Sequence, residues 1–175
     1  TTEIYTLSLH DALPICDIMV SEFWNESSGG FYLGSDQTEK LIVRAMTGYD
    51  GAIPSGNSIA AMNLLKLTRI TGEIKWAEMA DKTFKVFSNE INRAPSGYTS
   101  MVTAFLFEYD HPKEIVVVGS GSDPATQDAL TRMKSEYIPG KILLFKDTDQ
   151  LSPVLSPLAK WRSEEHTSEL QSRAY

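Results

Sequence analysis

Between residues 56 and 110 the apolar positions recur at helical spacing. SIAAMNLLKLTRITG, residues 58–72, carries Ile59, Ala60, Ala61, Met62, Leu64, Leu65, Leu67 and Ile70, with charge only at Lys66 and Arg69. So wide an apolar girth predicts a helix buried on most sides. Asn57 or Ser58 stands where an N-cap belongs, and Gly72 where a C′ glycine belongs. EIKWAEMADKTFKVFSNEI, residues 73–91, is one-sided: Trp76, Met79, Ala80, Thr83, Phe84 and Phe87 share one face, and Lys75, Glu78, Asp81, Lys82 and Lys85 the other. YTSMVTAFLFEYD, residues 98–110, predicts a third helix after Pro95 and Gly97. A buried helix followed by a one-sided one is the unit of an αα-hairpin array.

After Pro112 the period changes. EIVVVG is β-branched and too short for a helix, SDPATQDALTRMKSEY reads as a helix capped by Ser122 or Asp123 with Pro124 at its first position, and KILLFKD, residues 141–147, reads as a second strand. A strand–helix–strand unit predicts parallel strands and a right-handed crossover. LSPVLSPLAKW, residues 151–161, is expected to be irregular. Upstream, FWNESSGGFYLGSDQTEKLI is aromatic and Gly-rich, with a turn at Ser27, Ser28, Gly29 and Gly30, and YDGAIPSGN, residues 49–57, is a second loop. The fold class is mainly α, followed by a small strand–helix–strand unit.

The two ends do not follow these patterns. TTEIYTLSLHDALPIC has no basic residue, and His10, Asp11 and Pro14 interrupt its apolar run, so it is neither a secretory leader nor a membrane span. Residues 1–15 instead resemble the in-frame translation of a sequencing-library adapter, and RSEEHTSELQS, from Arg162, resembles the translated reverse adapter. On this resemblance residues 1–16 and 162–175 are adapter-derived, artefactual and disordered. The native part is then 17–161, divided into helical hairpins over 17–111 and a βαβ appendage with an irregular tail over 112–161.

Setting the ends aside alters the chemistry on offer. Of 16 basic and 23 acidic residues, Arg162, Arg173, Glu3, Asp11, Glu164, Glu165 and Glu169 lie in the ends, leaving 14 and 18, a net charge of −4. His111 is the one remaining His, and Cys16 falls on the junction. Thiol catalysis, disulfides, Cys/His zinc sites and a Ser-His-Asp triad then lack residues, and no metal or cofactor is expected. The mild acidity without a basic patch excludes nucleic acid as a partner.

DGAIPSGNS, residues 50–58, is the most informative stretch. Pro54 stiffens the entry to a buried helix, Gly56 permits close backbone approach, and Ser55, Asn57 and Ser58 place small polar groups at its positive end beside the Asp50 carboxylate. These groups suit sugar hydroxyls or a catalytic carboxylate, and equally suit helix capping around a satisfied buried Asp. Tyr32 and Tyr49, with Phe23, Trp24 and Phe31, supply rings that stack on sugar faces or fill a core. GSGSDP, residues 119–124, lies between strand and helix as a phosphate loop does. Pro124 replaces the third glycine and Asp123 sets a carboxylate where an anion would dock, which favours a plain tight turn. Asp110 and His111 read as a turn cap.

SGGFY, YDGAIPSGNSIAAMNLLKLTRITG, PKEIVVVG and IPGKILLF together resemble the C-terminal part of the thioredoxin-domain-containing proteins of the spermatogenesis-associated type. That family joins an N-terminal thioredoxin-like domain to an (α/α)6 barrel similar to N-acylglucosamine 2-epimerases and six-hairpin glycosidases. The resemblance implies a fragment holding the last αα-hairpins of such a barrel, without the thioredoxin-like domain, the early barrel helices and the Cys-containing tail. It implies a cytoplasmic parent in which Asp50, Ser55 and Asn57 face the barrel cavity; read as an enzyme, that parent binds a sugar-like small molecule, with Asp50 as an acid/base participant and Ser55, Asn57, Ser58, Tyr49 and Tyr32 as ligand-binding residues, and the fragment alone would be inactive. The alternative is a non-catalytic scaffold serving the thioredoxin-like domain. Nucleotide binding at residues 119–123 is the weakest reading.

Overall fold

The computed structural model describes residues 3–35, 44–110 and 112–149, with side chains from residue 13 onward. Among these the chain is mainly helical. α1 spans Glu3–Phe23, α2 Gly56–Thr71, α3 Ile74–Arg93, α4 Thr99–Tyr109 and α5 Pro124–Ser135, with strands β1, Glu114–Gly119, and β2, Ile142–Asp147.

α2 is the axis of the helical part and packs against both α3 and α4. Its apolar girth explains this: Ala60, Ala61, Leu64, Leu65 and Leu67 are all buried. The cap is Ser55, not Asn57 or Ser58, because the helix starts at Gly56 and the Ser55 side chain accepts from the Ser58 amide. Gly72 ends α2 with φ of +74°, a left-handed value that glycine adopts without strain, and its N–H returns to the Thr68 carbonyl. α3 follows at once and buries Trp76, Ala80, Thr83 and Phe87, the face read from the sequence. α4 buries Met101, Ala104 and Phe107.

Strands β1 and β2 pair in parallel, with Ile115 opposite Leu143 and Val117 opposite Phe145. Asp123 caps α5 by accepting from the Ala125 and Thr126 amides. Lys141 Nζ donates to the carbonyls of Met133 at 2.5 Å and Glu136 at 2.6 Å, which places a cation at the α5 C-terminus. Ile142 joins the core containing Leu64, Trp76 and Phe107, with Leu144 packed against it, so the strand unit sits on the helical part.

The disorder expected of the N-terminal segment is not seen among the described residues. The N-terminal segment is helical from Glu3, and Pro14 lies inside the helix. Leu13, Cys16, Val20 and Phe23, spaced by three or four residues, meet the main core together with Met19. Pro14, a helix-interior residue that removes one backbone hydrogen bond, hides that period from a sequence reading. The segments 151–161 and 162–175, and His111, lie outside the described residues.

Candidate functional site

The loop from Thr47 to Ser55 crosses the N-terminal ends of α2 and α4, and Asp50 sits between them. Asp50 is 8% exposed. Oδ1 accepts from the Ser55 amide at 2.8 Å, and Oδ2 accepts from the Ser100 amide at 2.8 Å and the Met101 amide at 3.3 Å. The Asp50 amide donates to the Gly97 carbonyl at 2.8 Å. The first-turn amides of α4 have no side-chain cap from Tyr98, so Asp50, fifty positions upstream, takes that role. Burial pushes the Asp50 carboxyl up, but the Ser55 amide, the Ser58 hydroxyl and the Ser100 and Met101 amides outweigh it and hold it below the usual carboxylate value. It is an anion at neutral pH, fixed by main-chain donors from two helices.

Asn57 is equally engaged. It is 1% exposed. Its Oδ1 accepts from the Phe31 amide at 2.7 Å, and its Nδ2 donates to the Phe31 carbonyl at 2.9 Å and the Thr47 carbonyl at 2.8 Å. Both loops are thereby pinned to the first turn of α2. Ser55 and Ser58 join hydroxyl to hydroxyl at 2.8 Å. Asp50, Ser55, Asn57 and Ser58 therefore form one buried polar cluster, as their spacing suggested.

The tyrosines stand apart from that cluster. Tyr49 is 59% exposed and meets Tyr98 edge to face, with ring centroids 6.0 Å apart. It lies over Gly97, where an added Cβ would come within 2.8 Å of its ring, so glycine is required there for contact. Tyr32 carries the Arg44 guanidinium 4.1 Å from its ring centroid, and that guanidinium also donates to the Glu22 and Gly34 carbonyls. Sequence reasoning gave Arg44 no role, and nothing in its neighbourhood announces one. Trp24 and Phe31 are buried and pack edge to face at 5.0 Å, so they belong to the core. A recess of about 250 Å³ lies beside this region, lined by Met19, Phe23, Phe31, Tyr32, Asn57 and Ala60 among others.

The loop after β1 presents acids rather than free donors. The Gly121 amide donates to Asp147 Oδ1 at 3.1 Å, the Ser120 hydroxyl donates to the Asp149 carboxylate, and Asp123 faces its own helix. An incoming phosphate would meet three carboxylates. Burial and neighbouring Asp17 push the Cys16 thiol up, away from the reactive thiolate. Among the described residues no helix is long and apolar enough to cross a membrane.

No family model matches the chain. Curated proteins do. Spermatogenesis-associated protein 20 of Rattus norvegicus is 34% identical over 146 residues, covering 81% of this chain and 18% of its own length. The Homo sapiens protein of the same name is 32% identical over 156 residues, 85% of this chain and 20% of its own length. An uncharacterized protein of Caenorhabditis elegans, B0495.5, is 27% identical over 124 residues, which is 71% of this chain and 16% of its own length. The chain thus spans about a fifth of the length of the curated relatives it matches, and over that stretch it is homologous to spermatogenesis-associated protein 20.

Proposed function

We propose that this stretch is a helical scaffold segment from the C-terminal part of a longer thioredoxin-domain-family protein, and that the Asp50 cluster is architectural rather than catalytic. The observation that carries this is the occupancy of Asp50. Both carboxylate oxygens accept from main-chain amides, from α2's cap on one side and from α4's first turn on the other. A general acid must carry a proton, and this carboxyl is held below its ordinary value. A general base must turn a free oxygen toward substrate, and these oxygens are turned inward. Asn57, offered as a hydroxyl-orienting group, has its oxygen and its nitrogen committed to the backbone.

In this reading α2, α3 and α4 are closing hairpins of an (α/α)6 barrel in a cytoplasmic parent, residues 17–161 are the native portion, and both ends derive from adapter sequence. The rival reading, a sugar-like ligand in the parent's cavity, is favoured by the recess bounded by Tyr32 and Asn57. The parent with Asp50→Asn separates the two. The scaffold reading expects a large loss of thermal stability and, where the fold survives, unchanged binding across a panel of monosaccharides and amino sugars. An unchanged melt with lost sugar binding sinks it.

A further inference from the structure

The described residues form a sheet of two parallel strands only. This is a small sheet for its type, since parallel strands are stable chiefly inside larger sheets covered on both faces. Its ladder fixes which groups are used. The Ile142 amide donates to the Lys113 carbonyl at 2.9 Å and the Thr148 amide to the Gly119 carbonyl at 3.0 Å. Along a strand the direction of the main-chain groups alternates. The odd-numbered residues of β1 therefore point their N–H and C=O at β2, and Glu114, Val116 and Val118 point theirs away from it.

That outer edge is apolar at Val116 and Val118 and accessible at Val118. Val118 is 59% exposed, and no residue of β1 is fully buried, whereas β2 buries Ile142 and Phe145. Natural edges of this kind are usually blunted by charged side chains, Pro or a bulge; β1, EIVVVG, has neither Pro nor bulge and carries its one charge at its first residue, Glu114. The matched relatives, meanwhile, are about five times as long as the stretch they share with this chain, so abundant polypeptide lies outside it.

We propose that the outer edge of β1 is a docking edge for one further strand, supplied by the longer polypeptide and bonded to the main chain of Val116 and Val118. The chemistry it selects is an extended, β-branched or aromatic segment without proline at its inward-facing positions. This rests on the reading above that the stretch belongs to a longer protein.

The test is hydrogen–deuterium exchange at single-amide resolution on the full-length parent and on the 175-residue chain, the latter at two concentrations. The Ile115 and Val117 amides, bonded to β2, are the internal control and should be slow in both. The expected result is Val116 and Val118 slow in the parent, at least a hundredfold slower than in the short chain. Fast exchange at both in the parent overturns the inference. So does protection in the short chain alone, which at low concentration points to cover by its own residues and at high concentration only to a second copy. Val116→Pro in the parent gives an independent check: it spares the β2 ladder and should raise Val118 exchange, while Val116→Thr should not. If the source gene encodes no longer polypeptide, the reading of the stretch as part of a longer protein fails first, and the edge inference falls with it.

Discussion

Replacing Asp50 with Asn changes one oxygen to an amide nitrogen and removes one charge, with almost no change in volume. Three main-chain N–H groups converge on the carboxylate: Ser55 on one oxygen, Ser100 and Met101 on the other. Whichever way the new amide turns, its NH2 faces an N–H, so at least one buried donor loses its partner and the rest lose their charge assistance. Hydrogen bonds to charged groups contribute about 1.5–3 kcal/mol each, and an orphaned buried donor costs about 1–3 kcal/mol. A net loss of about 3 kcal/mol follows, which for a chain of this size lowers Tm by roughly 6–12 °C at about 2–4 °C per kcal/mol. Circular dichroism melts at pH 7 read this directly. The acid limb supplies a second reading. The folded carboxyl is held below its ordinary value, so its contribution is fully present above the unfolded value of about 3.9. It is lost as pH falls through the folded value. The gap between parent sequence and Asp50→Asn should therefore close as pH falls below that unfolded value. A Tm change under 1 °C at pH 7, or a gap that stays constant into acid, refutes the capping role.

Other perturbations sort by burial. Asn57→Ala removes three hydrogen bonds at a site 1% exposed and should cost about 3 kcal/mol or more in urea unfolding, with Asn57→Asp no rescue because it loses both donated bonds. Arg69→Ala should cost no more than about 1 kcal/mol despite its two 2.8 Å contacts with Glu108, because the pair is 29% and 45% exposed and solvent-screened. Ser55→Ala should cost about 1 kcal/mol through loss of the α2 cap, seen as earlier fraying in amide exchange near Gly56. On α4, Phe105, Leu106 and Tyr109 are 52%, 53% and 74% exposed. The 175-residue chain should self-associate in sedimentation velocity, and Leu106→Glu with Tyr109→Glu should shift it toward monomer.

Residues that act on near neighbours were legible in the sequence; those that act across the fold were not. Gly72 ends α2, the Trp76 face of α3 turns inward, and β1 and β2 pair in parallel, because period, cap chemistry and β-branching are written within a few positions of each element. The polar cluster was legible as a cluster for the same reason: Asp50, Ser55, Asn57 and Ser58 lie within nine positions of one another. Its partners were not, because they arrive from elsewhere in the chain. An Asp beside a helix start reads as a candidate acid from the sequence; the Ser100 and Met101 amides found on it belong to a helix whose own N-cap residue, Tyr98, offers no capping bond. The N-cap was misplaced by two or three residues for a related reason. Ser55, Asn57 and Ser58 are all good caps, and the choice fell to Ser55 because Asn57 is drawn inward by Phe31 and Thr47. A polar residue type at a loop–helix junction therefore marks where buried main chain must be satisfied. Whether it also serves a ligand depends on whether any of its donors or acceptors is left over, and at Asp50 and Asn57 each polar side-chain atom already has a main-chain partner.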